Sequence, residues 1–226
     1  MVLLSRNYIY ISLKSMSSLL TPSIGRIKAL QKRISQPYGA ESAKKNPTDQ
    51  KLNFHPDCEK RINDQINMEL MASYAYLGLA YYFHQSAISL PGFYKMFLNF
   101  SEEEIEHARF FLDYQILRGG KFTLTDICAP PAKEWVPESA VDIAIEMEKN
   151  VTQSILDMHE CASKHNDPSV TNFLETVFID DQYKTISELY HLKTKLKRVQ
   201  DQEGLYILDK DLEKKYKVAL QEQFKE

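Results

Sequence analysis

Glu104 and His107 stand three residues apart in the run SEEEIEHA over 101–108. On a helix that E-x-x-H step aims a carboxylate and an imidazole at one point from adjacent turns. Oxygen donors with a single imidazole suit iron or manganese better than zinc or copper. Two further carboxylates interrupt apolar stripes elsewhere in the chain. Ile62, Ile66, Ser73, Leu77 and Ala80 recur at helical spacing, with Glu69 and Tyr76 inside the same stripe. Val141, Ile145, Thr152 and Ile155 form another stripe, interrupted by Glu148. Glu104 and His107 lie in the middle of a third, made by Phe93, Phe97, Phe100 and Phe111. Burying an unpaired carboxylate is strongly unfavourable, so three of them with one histidine call for a bound cation.

The elements that carry these residues read as long helices. Only seven glycines occur, and long stretches lack both glycine and proline. Periodicity predicts helices over about 56–84, 92–118, 138–165 and 169–200. A short fifth helix follows Gly204, with Leu205, Leu208 and Leu212 at helical spacing. Pro91-Gly92 and Asn166-Asp167-Pro168 mark two short connections; Gly119-Gly120 opens a long one containing Pro130, Pro131 and Pro137. The expected fold is all-α: a four-helix bundle with a long crossover between helices two and three. Glu69 and Glu104 lie about equally far from the first hairpin turn, which puts them at one height in antiparallel helices.

Helix four is less direct. Its stripe reads Leu174, Phe178, Thr185, Leu189, Leu192 and Leu196. A second E-x-x-H, Glu188 to His191, points about 100° away from that stripe. Asp181 falls inside the stripe and Gln182 at its edge, so phase alone leaves both open as the helix-four contribution.

The chain divides near residue 50. Residues 1–40 contain no acid, while Arg6, Lys14, Arg26, Lys28, Lys32 and Arg33 are basic. Ile24, Ile27, Leu30 and Ile34 take one helical face and the basic residues the other. Residues 1–50 therefore read as a mitochondrial transit peptide and flexible linker, with plastid targeting or secretion as alternatives. Residues 51–226 form the folded domain. Net charge is −3, and basic residues outside the leader are dispersed, which gives nucleic acid no binding face. No apolar run is long enough to span a membrane. The three cysteines include no CxxC pair, so neither a disulfide framework nor a zinc site is indicated.

Several runs resemble heavy-chain ferritins: QINMELMASYAY over 65–76, SEEEIEHA over 101–108, EKNVTQS over 148–154, NDP over 166–168 and FIDDQ over 178–182. The resemblance covers about residues 53–212 and implies a ferritin-like bundle with ferroxidase activity. It implies that Glu69, Glu104 and His107 hold a first iron. Glu104 would bridge to a second, held by Glu148 with Gln182 nearby, and Tyr76 would be their hydrogen-bonding and redox neighbour. Fe(II) and O2 are then the substrates, a ferric mineral the product, and iron storage and detoxification the role. The resemblance also implies a shell of 24 chains, able to include other ferritin subunits. Its entry channel would be lined by His159, Asn172 and Glu175. Two positions depart from the family: Asp181 replaces a usual Glu, and Asn172 a usual Asp. The rival readings are a non-catalytic light-chain subunit, a di-iron oxidase of organic substrates and a metal-free helical interaction module.

Overall fold

The computed structural model describes residues 51–130, 134–199 and 201–216; residues 1–50, read above as an expected transit peptide and linker, lie outside them. The described elements are α1 (Pro56–His84), α2 (Pro91–Leu117), α3 (Pro137–Lys164), α4 (Pro168–Leu174), a π-helical turn (Glu175–Ile179), α5 (Asp180–Leu196) and α6 (Gln202–Lys215). The last part of the fourth helix runs on through the π turn, so α4 to α5 is one continuous rod. Among the described residues there is no strand. The result is the expected all-α bundle with a short C-terminal helix, and no described helix is long and apolar enough to cross a membrane.

Proline opens every long helix: Pro56, Pro91, Pro137 and Pro168 each occupy the first turn, where the missing N–H goes unused and the fixed φ is already helical. Between α3 and α4, Asn166 adopts a φ of 51° and Asp167 caps the next helix by accepting from the N–H groups of Ser169 and Val170. Asp167 is almost fully buried, and Arg118 at the end of α2 clamps it through both guanidinium nitrogens at 2.8 and 3.0 Å. The same guanidinium donates to the carbonyls of Leu52 and Asn53 and lies over the Phe54 ring. One bidentate fork thus joins the α2 end, the α3–α4 turn and the segment entering α1.

The long crossover is tied to α1 by side chains. Lys121, Thr123 and Thr125 donate their N–H groups to Glu59, Asn63 and Asn67 at 2.7, 2.8 and 2.8 Å. Asn63 and Asn67 return bonds to the carbonyls of Lys121 and Thr123. Two residues of extended chain rise about 6.6 Å and four residues of helix about 6.0 Å, so the two repeats match over this length. The sequence reading located the crossover; it did not identify this ladder.

α1 lies along α2, α3 packs on α1 and α5, and α6 packs on α2. Ser73 and Ser101 let α1 and α2 approach closely, each hydroxyl donating to the other's carbonyl at 2.8 and 2.9 Å. The core divides into two apolar clusters. One gathers Phe83, Phe93, Phe97, Val141 and Leu192; the other gathers Ile62, Phe111, Ile155, Leu174 and Phe178. The expected stripe on α1 needs one correction: Leu77 is 37 % exposed, and Leu79 and Phe83 take the buried positions beyond Tyr76. A 3.6-residue repeat carries position 77 off the face that Ser73 and Tyr76 share.

α6 docks through Leu208 and Leu212, a Lys95–Glu213 pair at 3.1 Å and one buried acid. α2 begins after Leu90, whose side chain accepts no capping bond. Asp209 of α6 supplies the acceptor instead: its Oδ1 takes the N–H groups of Gly92 and Phe93 at 2.8 and 3.0 Å. The approach is so close that a Cβ on residue 92 would lie 1.9 Å from the Asp209 carbonyl oxygen, so only glycine fits. Asp209→Ala should lower stability by about 1–2 kcal/mol, the range of a lost N-cap. Asp209→Asn, which keeps an acceptor, should lose less. Denaturant unfolding and amide exchange along α6 check both; equal stability in Asp209→Ala would contradict the capping role.

Candidate metal centre

Between the two apolar clusters lies a layer of polar side chains. α1 contributes Glu69 and Tyr76, α2 contributes Glu104 and His107, α3 contributes Glu148 and Thr152, and α5 contributes Gln182. Glu69, Glu104, Glu148 and Gln182 are 0–3 % exposed. One ligand atom each from Glu69, Glu104 and His107 falls within 4.8 Å of the other two. His107 Nδ1 is 3.0 Å from Glu104 Oε2, as the three-residue helical step requires. Its ring meets Phe178 edge-on, and Phe178 in turn stacks on Phe111.

The supporting contacts are specific. Gln65 donates to Glu69 Oε1 at 2.7 Å. Tyr76 OH donates to Glu148 Oε1 at 2.5 Å, and its ring is held between Phe97 and Phe100. Thr152 Oγ1 lies 2.7 Å from the Glu148 carbonyl oxygen and 2.9 Å from Gln182 Oε1. Each carboxylate is therefore oriented through one oxygen. The other oxygens, Glu69 Oε2 and Glu148 Oε2, are buried and meet no donor outside the layer; the only groups that could share a proton with these two acids there belong to Glu104. Such atoms are rare in folded proteins and expensive unless something positive meets them.

Electrostatics give the same picture. Burial pushes the Glu69 carboxyl well above its usual range, and the nearby Glu104 charge adds to the rise. Glu104 is raised well above its range by burial and then by Glu148. Glu148 is raised by burial, with the Tyr76 hydrogen bond opposing. The Tyr76 hydroxyl is likewise raised well above its usual value, first by burial and then by Glu148. Without a cation, burial and mutual repulsion favour the protonated form of these acids. A divalent ion can replace those protons, because it meets the unsatisfied oxygens and cancels their mutual repulsion.

All six expected residues, Glu69, Tyr76, Glu104, His107, Glu148 and Gln182, border this layer. For helix four, Gln182 is buried and Asp181 is exposed. That corrects the placing of Asp181 within the stripe and of Gln182 at its edge. Leu174, Phe178 and Gln182 recur every four residues and are all buried, a spacing that the wider π turn at Glu175–Ile179 brings closer to a single line. Counting at 100° per residue misses that widening. Thr185, also expected on the stripe, is only partly buried. His191 is exposed, and Glu188 pairs with Lys215, so the second E-x-x-H takes no part.

From the sequence, Glu103 reads with Glu102 and Glu106 as part of a solvated acidic face. It is half-buried, and with His107 and Asp181 it forms a second group whose ligand atoms lie within 4.8 Å. His107 belongs to both groups, so acids lead outward from the buried layer to the surface. Of the three expected channel residues, His159 Nε2 and Glu175 Oε1 meet at 2.6 Å, joining α3 to the first residue of the π turn. Asn172 is exposed one turn earlier and is not part of that contact.

Comparison with known proteins is consistent across sources. The family description "Ferritin-like domain" matches residues 59–199. Soma ferritin of Lymnaea stagnalis is 46 % identical over 160 residues, covering 70 % of this chain and 92 % of the relative. A ferritin of Pacifastacus leniusculus is 41 % identical over 170 residues, covering 74 % and 93 %. The ferritin middle subunit of Salmo salar is 43 % identical over 162 residues, covering 70 % and 92 %.

The raised carboxyl pKa values set a stability prediction. The folded state binds these protons more tightly than the unfolded chain. Their contribution is therefore fully present below the ordinary carboxyl value and is lost as pH rises through the raised ones. Glu69→Gln should stabilise the metal-free protein at neutral pH by about 1–3 kcal/mol, the cost of an unsatisfied buried group. The gain should shrink as pH falls toward the ordinary carboxyl range. Chemical denaturation in the presence of a chelator, at several pH values, reads this directly; a loss of stability at neutral pH would show that Glu69 is not strained.

Proposed function

Because the chain belongs to the ferritin family, we propose that it is an iron-storage and detoxification subunit of heavy-chain type, which oxidises Fe(II) with O2 at the buried carboxylate layer. The observation that carries this reading is the pair of orphaned buried oxygens on Glu69 and Glu148, beside a group of Glu69, Glu104 and His107 whose ligand atoms lie within 4.8 Å of one another. Glu69, Glu104 and His107 bind one ferrous ion; Glu104 reaches toward a second, held by Glu148 with Gln182 beside it. Three anionic carboxylates offset most of the charge of two ferrous ions and favour the ferric state more strongly. Tyr76 holds Glu148 in orientation and is placed to supply an electron or a proton.

Iron is substrate here rather than a resident cofactor. Gln182 offers a neutral oxygen where a second carboxylate would hold iron tightly, so the second ion is bound weakly and leaves after oxidation. Glu103 and Asp181, reached through His107, form the route between the layer and the surface. A light-chain subunit would lack Glu69, Glu104, His107 and Glu148 as a set. A permanent di-iron oxidase would want its second E-x-x-H in the layer, and His191 lies outside it.

The oxidised iron is deposited as mineral inside a shell of 24 chains, alone or mixed with other ferritin subunits. Ferrous ions enter where His159 and Glu175 meet. The acid-free, basic leader directs the chain to the mitochondrion.

The deciding experiment is oxygen uptake after adding about two ferrous ions per chain to the mature, iron-free protein. A fast burst should fall at least about tenfold in His107→Ala, the scale of losing a group that holds a metal. Equal slow uptake in both would overturn the reading. Asn172→Asp should speed oxidation at low iron and low salt, because an added acid at the channel raises the local ferrous concentration. An unchanged rate would remove Asn172 from the entry route.

A further inference from the structure

Away from the carboxylate layer, two thiols meet where α1 begins and α3 ends. Cys58 Sγ and Cys161 Sγ lie 4.0 Å apart, although the residues are 103 positions apart in the chain. Neither is in a disulfide. Buried free cysteines commonly serve as small apolar side chains, and both belong to the apolar cluster of Ile62, Phe111 and Ile155. Two features set this pair apart from packing. Each sulfur has the other as its hydrogen-bonding partner, and the two differ in access. Cys58 is wholly buried, whereas Cys161 is 8 % exposed and lines an open cleft of about 480 Å³ between α1 and α3.

The element ends that carry these thiols are already held together. Asn53 Nδ2 donates to the Asn166 carbonyl at 2.9 Å, and the His55 and His165 rings stack with centroids 3.5 Å apart. A disulfide of about 2.05 Å therefore asks the sulfurs to close by about 2 Å on an anchored backbone. Access also assigns the order of events. A small oxidant in the cleft meets Cys161 and not Cys58. The Cys58 thiol is pushed up to about 12, first by burial and then by the neighbouring Cys161, so it is a poor first nucleophile.

We propose that Cys58 and Cys161 form a reversible dithiol–disulfide site for hydrogen peroxide, whose oxidised form locks the start of α1 to the end of α3. The Cys161 thiolate attacks one peroxide oxygen: the S–O bond forms, the O–O bond breaks and hydroxide leaves, giving a sulfenic acid. That hydroxide takes up the proton Cys161 gave away. Cys58 then attacks the Cys161 sulfur: the S–S bond forms, the S–O bond breaks, and the displaced hydroxide leaves as water with the Cys58 proton. Two thiols lose two electrons, one peroxide gains them, and two waters result. Converting Cys161 to a sulfenic acid also removes the thiolate charge that opposes ionisation of Cys58. Peroxide is the only oxidant required, whether or not the carboxylate layer oxidises iron.

The test uses the full iron-free assembly carrying Cys128→Ser, which removes the exposed thiol and leaves only Cys58 and Cys161. It is treated with about one equivalent of hydrogen peroxide per chain in the presence of a chelator, then unfolded and labelled with N-ethylmaleimide. Intact mass should show both thiols labelled before treatment, neither after it, and both again after dithiothreitol. Peptide mapping should give a Cys58–Cys161 link within one chain. Amide exchange at the start of α1 should slow at least about twofold in the oxidised form. In Cys58→Ala, oxidation should stop at a Cys161 sulfenic acid that dimedone traps; in Cys161→Ala, Cys58 should stay reduced. Both thiols still labelled after peroxide, or links only between chains, would overturn the proposal and leave the pair as core packing.

Discussion

A helical bundle can close over three carboxylates only if something answers their charge. Glu69, Glu104 and Glu148 come from three different helices, and each is almost wholly removed from water. Their lateral closeness follows from the antiparallel hairpin and the crossover, and their common height from similar distances to the hairpin turn. The apolar clusters above and below supply the burial energy that holds the acids together against their repulsion. Protons can satisfy this layer, and so can a cation. The choice between the two is what makes it a chemical site rather than a packing defect.

The polar neighbours fix geometry more than they supply charge. Gln65, Tyr76 and Thr152 each take up one valence of a layer residue and leave another pointing inward. Because these three sit on long helices rather than loops, the open valences are held by the same packing that holds the fold. Stability and site are therefore in tension. Changes that neutralise the layer are expected to strengthen the iron-free bundle and to remove the reason for its polar core.

Much of this was legible in the sequence because burial leaves a periodic trace. Glu69, Glu104 and Glu148 declared themselves by interrupting apolar stripes, and His107 by its three-residue offset from Glu104. What periodicity could not resolve were places where the backbone leaves the ideal α period or where partners are remote. The π turn lets Gln182 rather than Asp181 face inward. Glu59, Asn63 and Asn67 look like surface polar residues until an extended segment about sixty positions away bonds to them. Asp209 looks like an acid on a short amphipathic helix until it caps α2. Glu103 reads as part of a solvated acidic face, and only the fold brings it next to His107.

The π turn joins two features that the sequence presents as unrelated. Glu175, its first residue, reaches His159 on α3 at the surface. Phe178, inside it, packs against His107 and Phe111, and Gln182 follows in the buried phase. Regularising this turn to an α-helix while keeping every residue would rotate the following segment by part of a turn. That rotation would move Gln182 away from Thr152 and bring Asp181 toward the layer, replacing a neutral oxygen by an acid. Relative to Leu174, one wide turn thus governs both the contact at the candidate entry and the charge of the candidate second site. On the proposed function, the neutral oxygen that Gln182 offers is in this sense a property of backbone geometry as much as of residue choice.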